Sequence, residues 1–156
     1  IIHRYLDGYV DFLRVWSDSP AVTVECDFSG MISPAMFREF FLPPLAQQTE
    51  LVRRTIYHLD GPGAIVHLDT LLDLPTLTGI QWVPGAGEAP MSEWIPLLKK
   101  IQAGGKLLVL ACESWEVETL LRELEPEGVL LRTTCRTVAE AEALVDRVAA
   151  MFGANH

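Results

Sequence analysis

The sequence predicts an α/β fold built on a parallel sheet. Two observations carry this. Short runs rich in Val, Leu and Ile alternate five times with helical segments. The runs are nearly continuous in apolar residues, as in strands buried on both faces. Two architectures fit this pattern. One is a complete five-stranded doubly wound sheet. The other is the latter part of a (β/α)8 barrel, a fold of typically about 250 residues. A nucleotide-binding doubly wound domain often has a glycine-rich turn after its first strand. Here that position reads Asp27-Phe28-Ser29-Gly30, which is not such a loop.

Taken in order, residues 1–18 read as an amphipathic helix with charges at Arg4, Asp7, Asp11 and Arg14. That reading leaves no signal peptide. Residues 21–26 (AVTVEC) form the first strand. Ser33 and Pro34 open a helix, Ser33 as cap and Pro34 in the first turn, where an N–H is unpaired anyway. Phe37, Phe40, Phe41, Leu45, Leu51 and Val52 supply its apolar face, and Pro43-Pro44 should kink or split it. Residues 55–59 are the second strand, broken by Gly61-Pro62-Gly63, and 64–72 a short helix. The third strand spans 79–83 (GIQWV), followed by a loop over 84–90. Ser92 is expected to cap a helix over 93–102 that stops at Gly104-Gly105. The fourth strand covers 106–111 (KLLVLA), and Ser114 opens a helix to Leu124. The fifth strand covers 128–133. Thr137 caps a last helix that runs to about Phe152.

The chain has 156 residues, 49% of them hydrophobic and 21% charged, which excludes intrinsic disorder and allows one compact domain. No apolar run approaches the ~18 residues of a membrane span. With 12 Lys and Arg against 21 Asp and Glu, the formal charge is −9, which argues against a nucleic-acid partner. Three cysteines, Cys26, Cys112 and Cys135, are too few for a disulfide scaffold and suit a reducing cytoplasm. The chain starts on Ile1 and is expected to be part of a longer one.

Both architectures place chemistry at the carboxyl ends of the strands. Those ends hold Glu25-Cys26-Asp27, Tyr57-His58-Leu59-Asp60-Gly61, Gln81-Trp82, Cys112-Glu113 and Thr133-Thr134-Cys135. His58-x-Asp60-Gly61 is the sharpest signal. Side chains two apart on a strand point the same way, and Gly61 lets the chain turn after them. In a closed barrel the strand ending at Cys135 faces the same mouth. An imidazole, a carboxylate and a thiolate would make a three-ligand metal site with one open position. The competing reading gives His58 and Asp60 only turn and capping hydrogen bonds. His67, in a helical stretch, reads as a packing or surface residue. Gly85-Ala86-Gly87 lacks the remaining residues of a phosphate loop.

The runs Cys26-Asp27-Phe28-Ser29, Ile32-Ser33-Pro34-Ala35-Met36-Phe37, Tyr57-His58-Leu59-Asp60-Gly61 and Gly79-Ile80-Gln81-Trp82-Val83-Pro84-Gly85 resemble the uroporphyrinogen decarboxylase superfamily. They are most similar to the bacterial branch beside the corrinoid-dependent methyltransferases. The resemblance implies a (β/α)8 barrel, with residues 1–156 as a single domain covering about five carboxyl-terminal units of the eight. Further amino-terminal barrel units are then expected as partners.

Two activities are implied. One is cofactor-independent decarboxylation of a tetrapyrrole. The other, favoured here, is methyl transfer from a corrinoid protein to a thiol at a divalent metal, expected to be zinc. Carried over, His58 matches the His of a His-x-Cys motif, Asp60 stands where the first Cys would be, and Cys135 matches the distant Cys. Asp60 preserves the charge of a thiolate but is a harder ligand. Asp27, Gln81 and Trp82 are expected to line the substrate pocket. A third expectation is a small-ligand-binding barrel without catalysis. No membrane partner is expected.

Overall fold

A computed structural model describes residues 8–153. Seven strands and five helices follow in order. A short hairpin pairs β1 (Tyr9–Val10) with β2 (Trp16–Ser17). The main sheet has β3 (Ala21–Glu25), β4 (Arg54–Asp60), β5 (Gly79–Val83), β6 (Leu107–Ala111) and β7 (Val129–Arg132), all parallel and side by side in chain order. Helices fill each connection, as a parallel crossover requires.

The first helix, α1, shows how local chemistry shapes an element. Ser33 accepts the Met36 N–H at its start, and Pro34 occupies the first turn. The helix runs as Pro34–Met36, a π turn at Phe37–Phe41 and Leu42–Glu50. Pro43 and Pro44 have no N–H to give back to the preceding turn. The helix is interrupted next to them, its last regular stretch starting at Leu42. It widens by one residue just before them, where the Leu42 N–H bonds to the Phe37 carbonyl. Phe40 and Leu51, expected on the apolar face, are exposed.

After β4, Gly61 adopts a positive φ of 76° and releases the chain into a 3-10 turn, Pro62–His67, and α2 (Leu68–Leu72). This turn packs on the Ser29–Met31 turn through bare backbone. A Cβ on Gly63 would lie 3.3 Å from Gly30 Cα. The next connection is a 3-10 turn, Met91–Trp94, and α3 (Ile95–Ala103). Ser92 lies inside that turn and caps nothing with its hydroxyl. Then come α4 (Val117–Glu123) and α5 (Val138–Met151), the latter capped by Thr137 as expected. Ser114 does not cap α4. The anchor there is Glu116, 1% exposed, whose two carboxylate oxygens accept the Ser92 N–H (2.8 Å) and the Glu113 N–H (2.9 Å). One buried acid thus ties the loop after β5 to the loop after β6.

All five helices cover one face of the sheet. Val24, Tyr57, Leu59, Ile80, Trp82, Leu108 and Leu110 point to that side and join Phe37, Leu45, Leu68, Leu71, Leu98, Ile101 and Leu120 in a single core. Strands in chain order with helices on one face are compatible with part of an α/β barrel. A doubly wound sheet puts helices on both faces.

The other face, here called the inner face, is crossed by residues 8–17. The expected helix over 1–18 is corrected here for its described part: this segment is the β1–β2 hairpin, and residues 1–7 lie outside the described residues. Asp11 explains the change. Its carboxylate accepts the Val15 N–H (3.0 Å), in place of the backbone carbonyl that a helix would use, and the Thr23 hydroxyl (2.6 Å). Arg14 turns the chain with φ 63°. Leu13 and Val15 then pack on Ile56 and Val109, and the Leu13 carbonyl accepts from Arg132 (3.3 Å). The hairpin is a strap from one edge of the sheet, at Thr23, to the other, at Arg132. No helix among the described residues is long and apolar enough to cross a membrane.

Candidate functional site

The strap leaves open the carboxyl end of the inner face. The sheet register sets Glu25, His58, Gln81, Val109 and Leu130 side by side across the five strands. Their neighbours Val24, Tyr57, Ile80, Leu108 and Val129 point to the helices, because successive side chains on a strand alternate. Polar groups at this end of the inner face therefore cost no core packing.

His58 is the centre of the row. Its Nδ1 meets Gln81 Oε1 at 2.5 Å. An amide oxygen only accepts, so Nδ1 carries the proton and donates it. The neutral ring then has its lone pair on Nε2, which has no partner among the described residues. This is the arrangement that fixes a ligating or basic histidine, the far nitrogen held by a second residue. Gln81 is 4% exposed and so cannot swing away freely. Phe12 of the strap stands edge-on to the imidazole, ring centres 6.4 Å apart. Asp60 lies on the same face of β4, one step nearer the open end, and is exposed.

The sequence-predicted residues divide into two groups. His58, Gln81 and Asp60 come together on the inner face. Asp27 is exposed just past the end of β3. Trp82 points the opposite way from Gln81. It is fully buried against Trp94, with ring centres 5.0 Å apart, so it packs the helix-side core and does not share the His58 face. Cys135 lies beyond β7, half-buried, with β5 and β6 between it and His58. Three strand steps of about 4.8 Å place them roughly 14 Å apart along the sheet. Among the described residues no three His, Cys, Asp or Glu side chains stand together as a metal group. His58 and Asp60 share a face of β4, and Cys135 does not join them here.

The remaining thiols are protonated near neutral pH. Burial, then Glu116 and Glu113, pushes Cys112 up to about 11. Burial raises Cys26 as well, with Asp27 adding to the rise and a backbone hydrogen bond at Phe28 opposing it. Tyr57, under the core, is pushed up to about 12, chiefly by burial.

Two structural anchors of the loops around the site were not legible as such. Glu116 bonds the backbone N–H of Glu113, three residues before it, and that of Ser92 in the loop after β5, and such backbone partners leave no side-chain pattern in a sequence. His67 is buried, stacked on Phe37 with ring centres 4.3 Å apart, and its Nε2 bonds the Ser29 carbonyl at 2.8 Å. It is thus a packing residue that holds the loop carrying Asp27. No protein-family model, curated protein or solved structure matches the chain.

Proposed function

We propose that this chain is part of an α/β-barrel enzyme of the uroporphyrinogen decarboxylase type, and that it transfers a methyl group from a corrinoid protein to a thiol. The observation that carries the reading is His58 at a strand's carboxyl end, with Nδ1 tied to Gln81 and with Asp60 exposed on the same face of the strand. A divalent ion held there, zinc by the resemblance, would acidify the acceptor thiol. Gln81 fixes the direction of the imidazole through its bond to Nδ1. The Asp60 carboxylate supplies the negative charge that favours a cation at this point. Phe12 shields one edge of the ring from water. In the net reaction the thiol loses its proton, a sulfur–carbon bond forms, and the methyl donor keeps the electron pair of the broken bond.

The test is methyl transfer from methylcobalamin to 2-mercaptoethanol by the full-length protein. His58→Ala should lower the rate by about 100-fold or more, the size expected for an essential acid–base or ligand group. Loss of the tetrapyrrole's carboxylates with no methyl transfer would replace this reading with decarboxylation. Binding without turnover of either kind would leave a ligand-binding barrel.

A further inference from the structure

A second opening lies at the same end of the sheet but on its other half. It is a cavity of about 400 Å³ between the carboxyl ends of β5, β6 and β7. That volume lies within the range of small-ligand pockets, which run from about 300 to 1,000 Å³. Arg132 and Glu113 both line it. The ladder between their strands continues to this point, with the Cys112 N–H on the Arg132 carbonyl at 3.0 Å. Yet the two opposite charges form no ion pair with each other. Among the described residues Arg132 makes no ion pair, and the Glu113 carboxylate accepts no hydrogen bond. The Arg132 guanidinium is nevertheless steadied by one bond, to the Leu13 carbonyl of the strap.

Two more observations point to a ligand. Thr133 belongs to the cavity wall, and its Oγ1 is buried with no hydrogen-bond partner among the described residues. Such an orphan costs about 1–3 kcal/mol unless something satisfies it. The third charged group in the wall, Glu116, is spoken for, since both its oxygens hold loop N–H groups. Cys112 is a neutral thiol here. Met91, Pro84 and Pro90 give the wall an apolar side.

We infer that this cavity binds a zwitterionic α-amino acid, its carboxylate on Arg132 and its ammonium on Glu113. A simple anion would satisfy Arg132 and be repelled by Glu113, in a protein already at −9. A simple cation has the converse problem. One small molecule carrying both charges answers both, and its side chain meets the apolar wall. The site uses neither His58 nor a metal, so it stands or falls separately from the methyl-transfer reading.

Calorimetric titration of the metal-free chain with each of the twenty standard L-amino acids, without methyl donor, tests it. At least one should bind. Its decarboxylated amine and its desamino acid should each bind about tenfold more weakly or worse, a loss equivalent to one tenfold step in Kd. Glu113→Gln should weaken binding by a similar factor. Its side chain is exposed, so the variant should keep the fold, which a thermal melt verifies. Arg132→Gln should weaken it too. The proposal is overturned if no amino acid binds at about 10 mM, far above any useful affinity. It is equally overturned if a single-charge fragment binds as tightly as the parent, or if Glu113→Gln binds as wild type.

Discussion

Tyr57 and His58 are adjacent in the chain and belong to two different regions. Tyr57 faces the helices, in a core where Leu59, Ile80, Trp82, Leu108 and Leu110 are all nearly or completely buried. His58 faces the strap, where the buried apolar residues among those described are Leu13, Ile56 and Val109. Leu107 and Leu130 on that side remain 47% and 38% exposed. The same five strands therefore hold the fold on one face and present chemistry on the other. Stability is concentrated where alternation sends Val, Leu and Ile under helices. Polar residues are tolerated where only a short hairpin covers the sheet.

Substitutions can break this contrast. Leu59→Ala should cost about 3–5 kcal/mol in denaturant unfolding, the upper part of the range for a fully enclosed leucine that leaves a cavity. A cost similar to that of an inner-face residue would deny the asymmetry.

High pH probes the same core. Tyr57 and Cys112 titrate higher in the folded chain, at about 12 and about 11, than their ordinary 10.0 and 9.0. Above pH 9 the unfolded chain releases protons that the folded chain still holds, so stability falls as pH rises. It is fully present below about pH 9 and lost progressively towards pH 12. Two units on Tyr57 correspond to roughly 2–3 kcal/mol. Stability curves from pH 8 to 12 should be flatter for Tyr57→Phe and Cys112→Ala together than for wild type. Identical slopes would mean that neither group is held neutral by burial.

On the inner face Ile56→Ala should cost less than Leu59→Ala, about 2 kcal/mol, because the strap can settle into the gap. Thr23→Val should cost about 1 kcal/mol, the size of a single part-exposed hydrogen bond, here the one to Asp11. It should also raise proteolytic nicking in residues 9–17. Unchanged cleavage would show that the strap is not held at this edge.

Much of the helix-side architecture was legible in the sequence. Runs such as 79–83 and 106–111 carry their own strand signal, and Ser33-Pro34, Gly104 and Thr137 mark helix ends by local chemistry. The strap was not legible. Arg4, Asp7, Asp11 and Arg14 recur at helical spacing, and what turns the described part is a side-chain bond from Thr23 to Asp11 together with a positive φ at Arg14. The site was legible in part. His58 and Gln81 were read at strand ends, but their pairing depends on a register that only the neighbouring strand defines. Trp82 followed Gln81 in that reading because strand ends were counted together, without asking which face each residue takes.

The account turns on His58 holding its proton at Nδ1 and leaving Nε2 open. Nitrogen-15 NMR of the imidazole at a pH where it is neutral tests this directly. The account predicts a protonated Nδ1 and an unprotonated Nε2 in the wild type, with the preference lost in Gln81→Leu. A wild-type ring protonated at Nε2, or a Gln81→Leu spectrum identical to it, would contradict the account.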